Sequence, residues 1–236
     1  MFDGNFRAGF ERAVAPMGRG LHAIGVSPDA VTATGVAMAA GCAVAIAFGQ
    51  FPLAFLLLCA TGIPDALDGA VAKAGGRAGP RGAYLDSVSD RLSDALLFFG
   101  AAWYFVRVDR PEMALLPFGL YIAASLVSYQ RAKAESLGYQ AKGGLMERAE
   151  RFIALGIGLA LQPLWAPIFE IVLWVMFALT VITVITRFVK VWRQATDALP
   201  PAVRRSPARR RRAARASGER RRGRYRVGAR RPPSAR

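Results

Sequence analysis

Residues 65–90 read DALDGAVAKAGGRAGPRGAYLDSVSD, a polar stretch set between two long apolar blocks. Asp65 and Asp68 close the block before it, and Asp86 and Asp90, followed by Asp94, open the block after it. Side chains three or four residues apart share one face of a helix, so Asp65 and Asp68 form one acidic face and Asp86, Asp90 and Asp94 another. Two antiparallel helices with so short a connection can turn these faces toward each other. Four or five carboxylates then meet in one polar pocket at the edge of an apolar phase.

Outward from this stretch the chain is a series of apolar blocks at 31–48, 51–71, 83–106, 112–134, 149–166 and 168–190. Each is close to the ~20 residues with which a helix crosses ~30 Å of hydrocarbon. The predicted fold is therefore an all-α integral membrane protein with six transmembrane helices. Of the 236 residues, 53% are apolar and 20% charged, which excludes a disordered or collagen-like chain and is too apolar for a soluble core of this size. The net charge of +16 is a property of the tail: residues 204–236 hold fifteen of the thirty-two basic groups and a single acid, Glu219. Basic residues also fill 73–81 and 131–151. By the positive-inside rule these loops, both termini and the acidic pocket face the cytoplasm, from the cell membrane.

Before the first block, Phe2, Phe6, Phe10, Ala13, Met17, Leu21 and Ile24 recur at spacings of three and four. Residues 1–28 thus read as an amphipathic helix and turn, kinked near Pro16, that lies on the membrane or packs against the ends of the bundle. Ser27 is the expected N-cap of the next helix, with Pro28 in its first turn. The transmembrane domain is expected over 29–193. Residues 194–236 form an Arg-rich tail expected to be disordered, with anionic lipid favoured over nucleic acid as its partner. Cys42 and Cys59 lie inside apolar blocks without metal-site spacing, and His22 has no second histidine, so neither residue type points to zinc or redox chemistry.

Carboxylates packed near low dielectric need cations among them. Lys73, Arg77, Arg81 and Arg91 can pair with some. Oxygen-only donors at this density also suit Mg²⁺ or Mn²⁺, and two such ions about ~4 Å apart clamp a phosphoryl group during displacement. Gly69 and Gly82, each beside an acidic face, leave room for a phosphate or nucleotide to approach the backbone.

The pattern Asp65-x-x-Asp68-Gly69-x-x-Ala72-Lys73-x8-Gly82-x-x-x-Asp86-x-x-x-Asp90 resembles the signature of the CDP-alcohol phosphatidyltransferases. Lys73 stands where that family usually has arginine, keeping the charge without the bidentate fork. The resemblance implies that Asp65, Asp68, Asp86 and Asp90 bind two divalent ions, Mg²⁺ with Mn²⁺ as the substitute. It also implies that Asp90 takes the proton of the acceptor hydroxyl and that the protein is a homodimer. Asp29, Ala30, Val31 and Thr32 resemble the family's segment that contacts the CDP-lipid, with Gly69, Lys73, Gly79 and Gly82 completing that site.

The cations at the ends of the later blocks can be ordinary membrane anchors, or they can grip a phosphate already present on the acceptor. By resemblance to the actinobacterial enzymes that use inositol phosphate, Arg131, Arg151 and Arg187 hold that phosphate, with Lys133 and Arg148 beside them. The expected reaction moves a phosphatidyl group from CDP-diacylglycerol to a phosphorylated polyol, inositol phosphate being favoured, and releases CMP. The alternatives are glycerol 3-phosphate as acceptor, a transporter whose aspartates line a cation path, and a membrane anchor for the basic tail.

Overall fold

Ser27 and Pro28 start the first long helix as their chemistry dictates. Ser27 is extended (φ −83°, ψ 149°) and its Oγ accepts the N–H of Ala30 at 3.2 Å, while Pro28 occupies the first turn, where a missing N–H costs nothing. The structure, a computed structural model, describes residues 16–75 and 79–197, without the side chains at 65, 66, 68, 69 and 73. The expected amphipathic stretch before Pro16 and the Arg-rich tail after Asp197 lie outside the described residues.

Among the described residues the chain is helical and contains no strand. A first helical segment, α1, covers 16–23. It is followed by α2 (Pro28–Ala47), α3 (Phe51–Ala74), α4 (Pro80–Arg107), α5 (Leu115–Ser136), α6 (Arg148–Leu161) and α7 (Ile168–Asp197). A 3-10 turn at Pro111–Ala114 leads into α5. Each helix from α2 to α7 coincides with one of the six apolar blocks.

The connections are set by a few residues. Gly49 adopts φ +73° after α2, so its N–H reaches the Ile46 carbonyl (2.9 Å) and that of Gln50 reaches Ala45 (2.8 Å), ending the helix in a Schellman motif. Gly138 does the same after α5, with Tyr139 N–H on the Ala134 carbonyl at 2.8 Å. Between α6 and α7 the Gln162 side chain accepts the N–H of Phe169 at 2.9 Å, satisfying one of the orphan donors in the first turn of α7. At that same end of the molecule Arg110 grips Glu170 with two bonds of 2.7 and 3.3 Å.

Both α3 and α4 pack along α2. The approach of α4 is close because Gly100 has no side chain: a Cβ there would stand 2.8 Å from the Cα of Ala43. Around this contact Ile46, Ala54, Leu97, Ala101, Leu120, Leu159, Leu173 and Met176 make the core. Large apolar side chains such as Phe99, Phe118, Ile153 and Trp174 remain exposed, as they do in a protein whose outer solvent is hydrocarbon. The α1 segment packs on α3, since a Cβ on Gly18 would meet Ala70, while Leu21 joins a small cluster with Val31, Leu67 and Val71.

Among the described residues three helical stretches have the length and apolarity for a membrane crossing: Pro28–Ala47, Pro111–Ser136 and Ile168–Asp197. Phe51–Pro64 of α3 is a shorter apolar stretch. In α4 Arg81, Asp86, Asp90 and Arg91 fall in the first half with Asp94 just past its middle, and α6 has only 14 residues. The chain divides into two units at 189/190. The first contains the bundle and the site; the described part of the second is the end of α7, where Thr196 Oγ1 donates to the Trp192 carbonyl at 2.8 Å.

Candidate active site

One end of the bundle opens into a cavity of about 820 Å³. Asp86, Asp90 and Arg91 of α4 line it on one side; Ser128, Arg131 and Glu135 of α5, Glu147 to Arg151 at the start of α6, and Arg187 of α7 line the rest. Asp86 and Asp90 are a turn apart on α4, so the i, i+4 spacing delivers two carboxylates to one space. Asp68 lies six residues before the end of α3 and Asp86 six after the start of α4, about 9 Å of rise in each helix. The two acidic pairs therefore lie equally far from the connection that joins their helices. The side chains of Asp65, Asp68 and Lys73, and the surroundings of Gly69, lie outside the described residues.

Asp90 Oδ1 accepts Arg148 at 2.8 Å, and Arg91 approaches its other oxygen at 3.7 Å. Asp94, one turn deeper, has left the acidic row. It is 3% exposed and its Oδ2 receives Arg151 Nη2 at 2.7 Å, with Arg151 itself 2% exposed. Arg148 also passes 3.9 Å from Asp94 and lies 4.7 Å over the Phe152 ring. The sequence reading that gathered as many as five carboxylates is thus corrected at its fifth member: Asp94 serves an arginine. Of the lysines and arginines named as partners from sequence, Arg91 reaches the row; Arg81 instead pairs with Asp29 at 2.6 Å.

Arg187 is held by three acceptors, the Val127 carbonyl at 2.8 Å, the Gly143 carbonyl at 3.1 Å and Glu147 Oε1 at 2.6 Å. Glu147 is also the N-cap of α6, in a capping box with Glu150. The loop before it is pinned to α7 by Met146 N–H on Thr183 Oγ1 at 3.1 Å. Arg131 is half exposed and pairs with Glu135 at 3.1 Å. The cavity therefore brings together Arg131, Arg151 and Arg187 of the predicted acceptor site with Arg148, the second choice named beside them. Lys133 is exposed and does not line it. The Nε atoms of Arg151 and Arg187 are buried without a hydrogen-bond partner. A buried guanidinium N–H left unpaired costs about 1–3 kcal/mol.

The predicted CDP-lipid residues divide. Asp29 and Ala30 are exposed, whereas Val31 and Thr32 are buried, the Thr32 hydroxyl donating to the Pro28 carbonyl at 3.2 Å. The Asp29–Arg81 pair joins the starts of α2 and α4 beside Gly79 and Gly82, and a Cβ on either glycine would meet nothing within 4 Å. Gly79 is extended (φ −174°), a conformation open to any residue, so its value lies in the open space rather than in the backbone.

Among the described residues no three His, Cys, Asp or Glu side chains are placed to hold a metal ion. The donors that are described nevertheless fit a hard divalent cation: Asp86 and Asp90 offer oxygen only, on one face, toward open cavity. The Arg148–Asp90 and Arg151–Asp94 pairs were not foreseen. Their signal is the match of two acids at i, i+4 with two arginines at i, i+3 on another helix, which spacing permits and only the tertiary arrangement selects.

The model of the family described as CDP-alcohol phosphatidyltransferase matches residues 25–192, and the chain belongs to that family. A phosphatidylinositol phosphate synthase of Mycobacterium marinum is 36% identical over 205 residues, covering 83% of this chain and 87% of that one. The crystal structure of the Mycobacterium tuberculosis phosphatidylinositol phosphate synthase with CDP-DAG bound superposes with a TM-score of 0.73 at 28% identity, over 83% of this chain and 98% of that one. The structure of the same M. tuberculosis enzyme in complex with manganese and citrate gives 0.72 at 30% identity, over 82% and 93%. Together with the apolar helices, family membership makes this a membrane-embedded phosphatidyltransferase of phospholipid synthesis.

Proposed function

We propose that the protein is a phosphatidylinositol phosphate synthase, transferring the phosphatidyl group of CDP-diacylglycerol to a hydroxyl of inositol phosphate and releasing CMP. The observation that carries this reading is the continuity of the cavity. Asp86 and Asp90 stand at one wall, and Arg131, Arg148, Arg151 and Arg187 line the same space. A substrate bound between them has a reacting hydroxyl at the acids and a phosphate at the arginines. The relatives named above act in the same class, and the family favours group transfer over a cation path.

In the proposed reaction the acceptor hydroxyl oxygen bonds to the phosphatidyl phosphorus, the bond from that phosphorus to CMP breaks, and the hydroxyl proton passes to an Asp90 oxygen. Asp65, Asp68, Asp86 and Asp90 are the residues that hold divalent metal, two Mg²⁺ in this proposal with Mn²⁺ able to replace them; such ions neutralise the pyrophosphate as charge moves to the leaving CMP. Asp29, Gly69, Lys73, Gly79 and Gly82 bind the CDP-lipid, and Arg131, Arg151 and Arg187 orient the acceptor phosphate by charge-assisted bonds. We extend the proposal to six membrane crossings by α2 to α7, a homodimer, and a cytoplasmic cavity at the cell membrane with both termini on the same side.

Purified protein with CDP-diacylglycerol and Mg²⁺ is to be offered inositol phosphate, glycerol 3-phosphate and unphosphorylated inositol in separate reactions, the lipid product being weighed by mass spectrometry. Phosphatidylinositol phosphate as the dominant product is expected; exclusive use of glycerol 3-phosphate would replace the acceptor, and no CMP release with any alcohol would remove the reading. The Asp90→Asn variant is expected to keep its thermal transition and to lose CMP release by at least about a hundredfold, the scale of general-base catalysis.

A further inference from the structure

Asp94 belongs neither to the four metal aspartates nor to the cations of the acceptor wall, yet it is the most deeply buried of the described acids at this end of the molecule. It stands on the same face of α4 as Asp90, one turn further in. Across from it, α6 presents Arg148 and Arg151, three residues apart and so on a shared face. The two rows interlock. Arg151 meets Asp94 at 2.7 Å, Arg148 meets Asp90 at 2.8 Å, and Arg148 bridges to Asp94 at 3.9 Å.

The hold on Arg151 is directional. Its Nη2 is taken by Asp94, and its Nη1 makes only a long 3.4 Å contact with the Met146 carbonyl. Its Nε is buried and unpartnered, and the residue lines the cavity. A guanidinium is planar, so fixing one edge fixes where the others point. We propose that Asp94 is a positioning residue for the acceptor: it fixes Arg151 against α4 and thereby sets the distance between the acidic row at Asp90 and the site that takes a phosphate monoester. This rests on the reading of the cavity as an acceptor-phosphate site. A purely architectural ion pair would affect folding and leave substrate constants alone, and this difference makes the proposal testable.

The test uses full-length protein in nanodiscs, as wild type, Asp94→Asn and Asp94→Glu. For each, kcat and KM are measured for inositol phosphate and for CDP-diacylglycerol, thermal unfolding is recorded, and inorganic phosphate binding is titrated calorimetrically. With Asp94→Asn we expect the KM for inositol phosphate to rise about ten- to a hundredfold, the loss that follows one charge-assisted hydrogen bond. Phosphate binding should weaken in parallel, while kcat changes little and the KM for CDP-diacylglycerol holds. Asp94→Glu keeps the charge and moves it by one methylene, so it should fold even where the amide does not, and should show a smaller rise in the same KM. An unchanged acceptor KM in a folded Asp94→Glu protein, or a joint fall of kcat and CDP-lipid affinity, would overturn the proposal. Wild-type protein that ignores inositol phosphate but binds inorganic phosphate in an Asp94-dependent way would sink the acceptor assignment and uphold the role of Asp94.

Discussion

Arg187 is a side chain with more tasks than its position near the end of the last helix suggests. Buried to 3% exposure, it ties α7 to the carbonyl of Val127 on α5, to that of Gly143 in the loop, and to the cap of α6 through Glu147. Removing one member of a buried pair leaves the other members unsatisfied. Since Glu147 keeps 36% of its side chain exposed and can rehydrate, Arg187→Met is expected to cost about 2–3 kcal/mol, below the value for a fully enclosed pair. Denaturation of the solubilised variant, followed by loss of a proteolysis-resistant core, measures this. A variant as stable as wild type would mean that the two carbonyl bonds contribute nothing net. Asp94 and Asp90 make the complementary point. They differ by one turn on the same face, and helix spacing treats them alike, whereas depth in the bundle gives one to the cavity and the other to an enclosed arginine.

Helix positions were legible because a membrane helix is announced by its apolar length, and the breaks at Gly49 and Gly138 are written in the residue type that the left-handed turn requires. The shared face of Asp86 and Asp90 on α4 was legible for the same reason, as spacing alone assigns residues to a face. The pairing of α4 with α6 was not, because it depends on how α4 is drawn in, and that in turn depends on what one residue lacks. Gly100 lets α4 meet the backbone of α2 at Ala43, whereas sequence shows only another small residue in an apolar run. Gly100→Val is accordingly expected to push α4 outward and to destabilise the bundle by about 1–3 kcal/mol, as overpacking does. The displaced α4 carries Asp90 and Asp94 away from Arg148 and Arg151, so activity should fall by more than the unfolded fraction explains. A variant whose activity tracks its folded fraction would show the carboxylate rows to be insensitive to this contact.

For the molecule as a whole, the proposed six crossings place the α3–α4 connection and the α4–α5 connection on opposite sides of the bilayer. In a cysteine-free background, a cysteine at position 80 in intact inverted vesicles should react with an impermeant maleimide and one at position 109 should not; the pattern should reverse in right-side-out vesicles. Equal labelling of both positions in sealed vesicles of one orientation would contradict the topology. A last consequence follows from the brevity of α6. Fourteen residues rise about 21 Å, well short of the ~30 Å thickness of a typical hydrocarbon layer. With α6 crossing as proposed, lipids beside this helix compress, or the wall of the cavity is dragged toward the midplane, each at a modest cost per ångström of mismatch. Turnover should therefore decline as the host lipids are lengthened from fourteen-carbon to twenty-two-carbon chains. In that topology the bilayer itself becomes a spring acting on the arginine wall of the cavity.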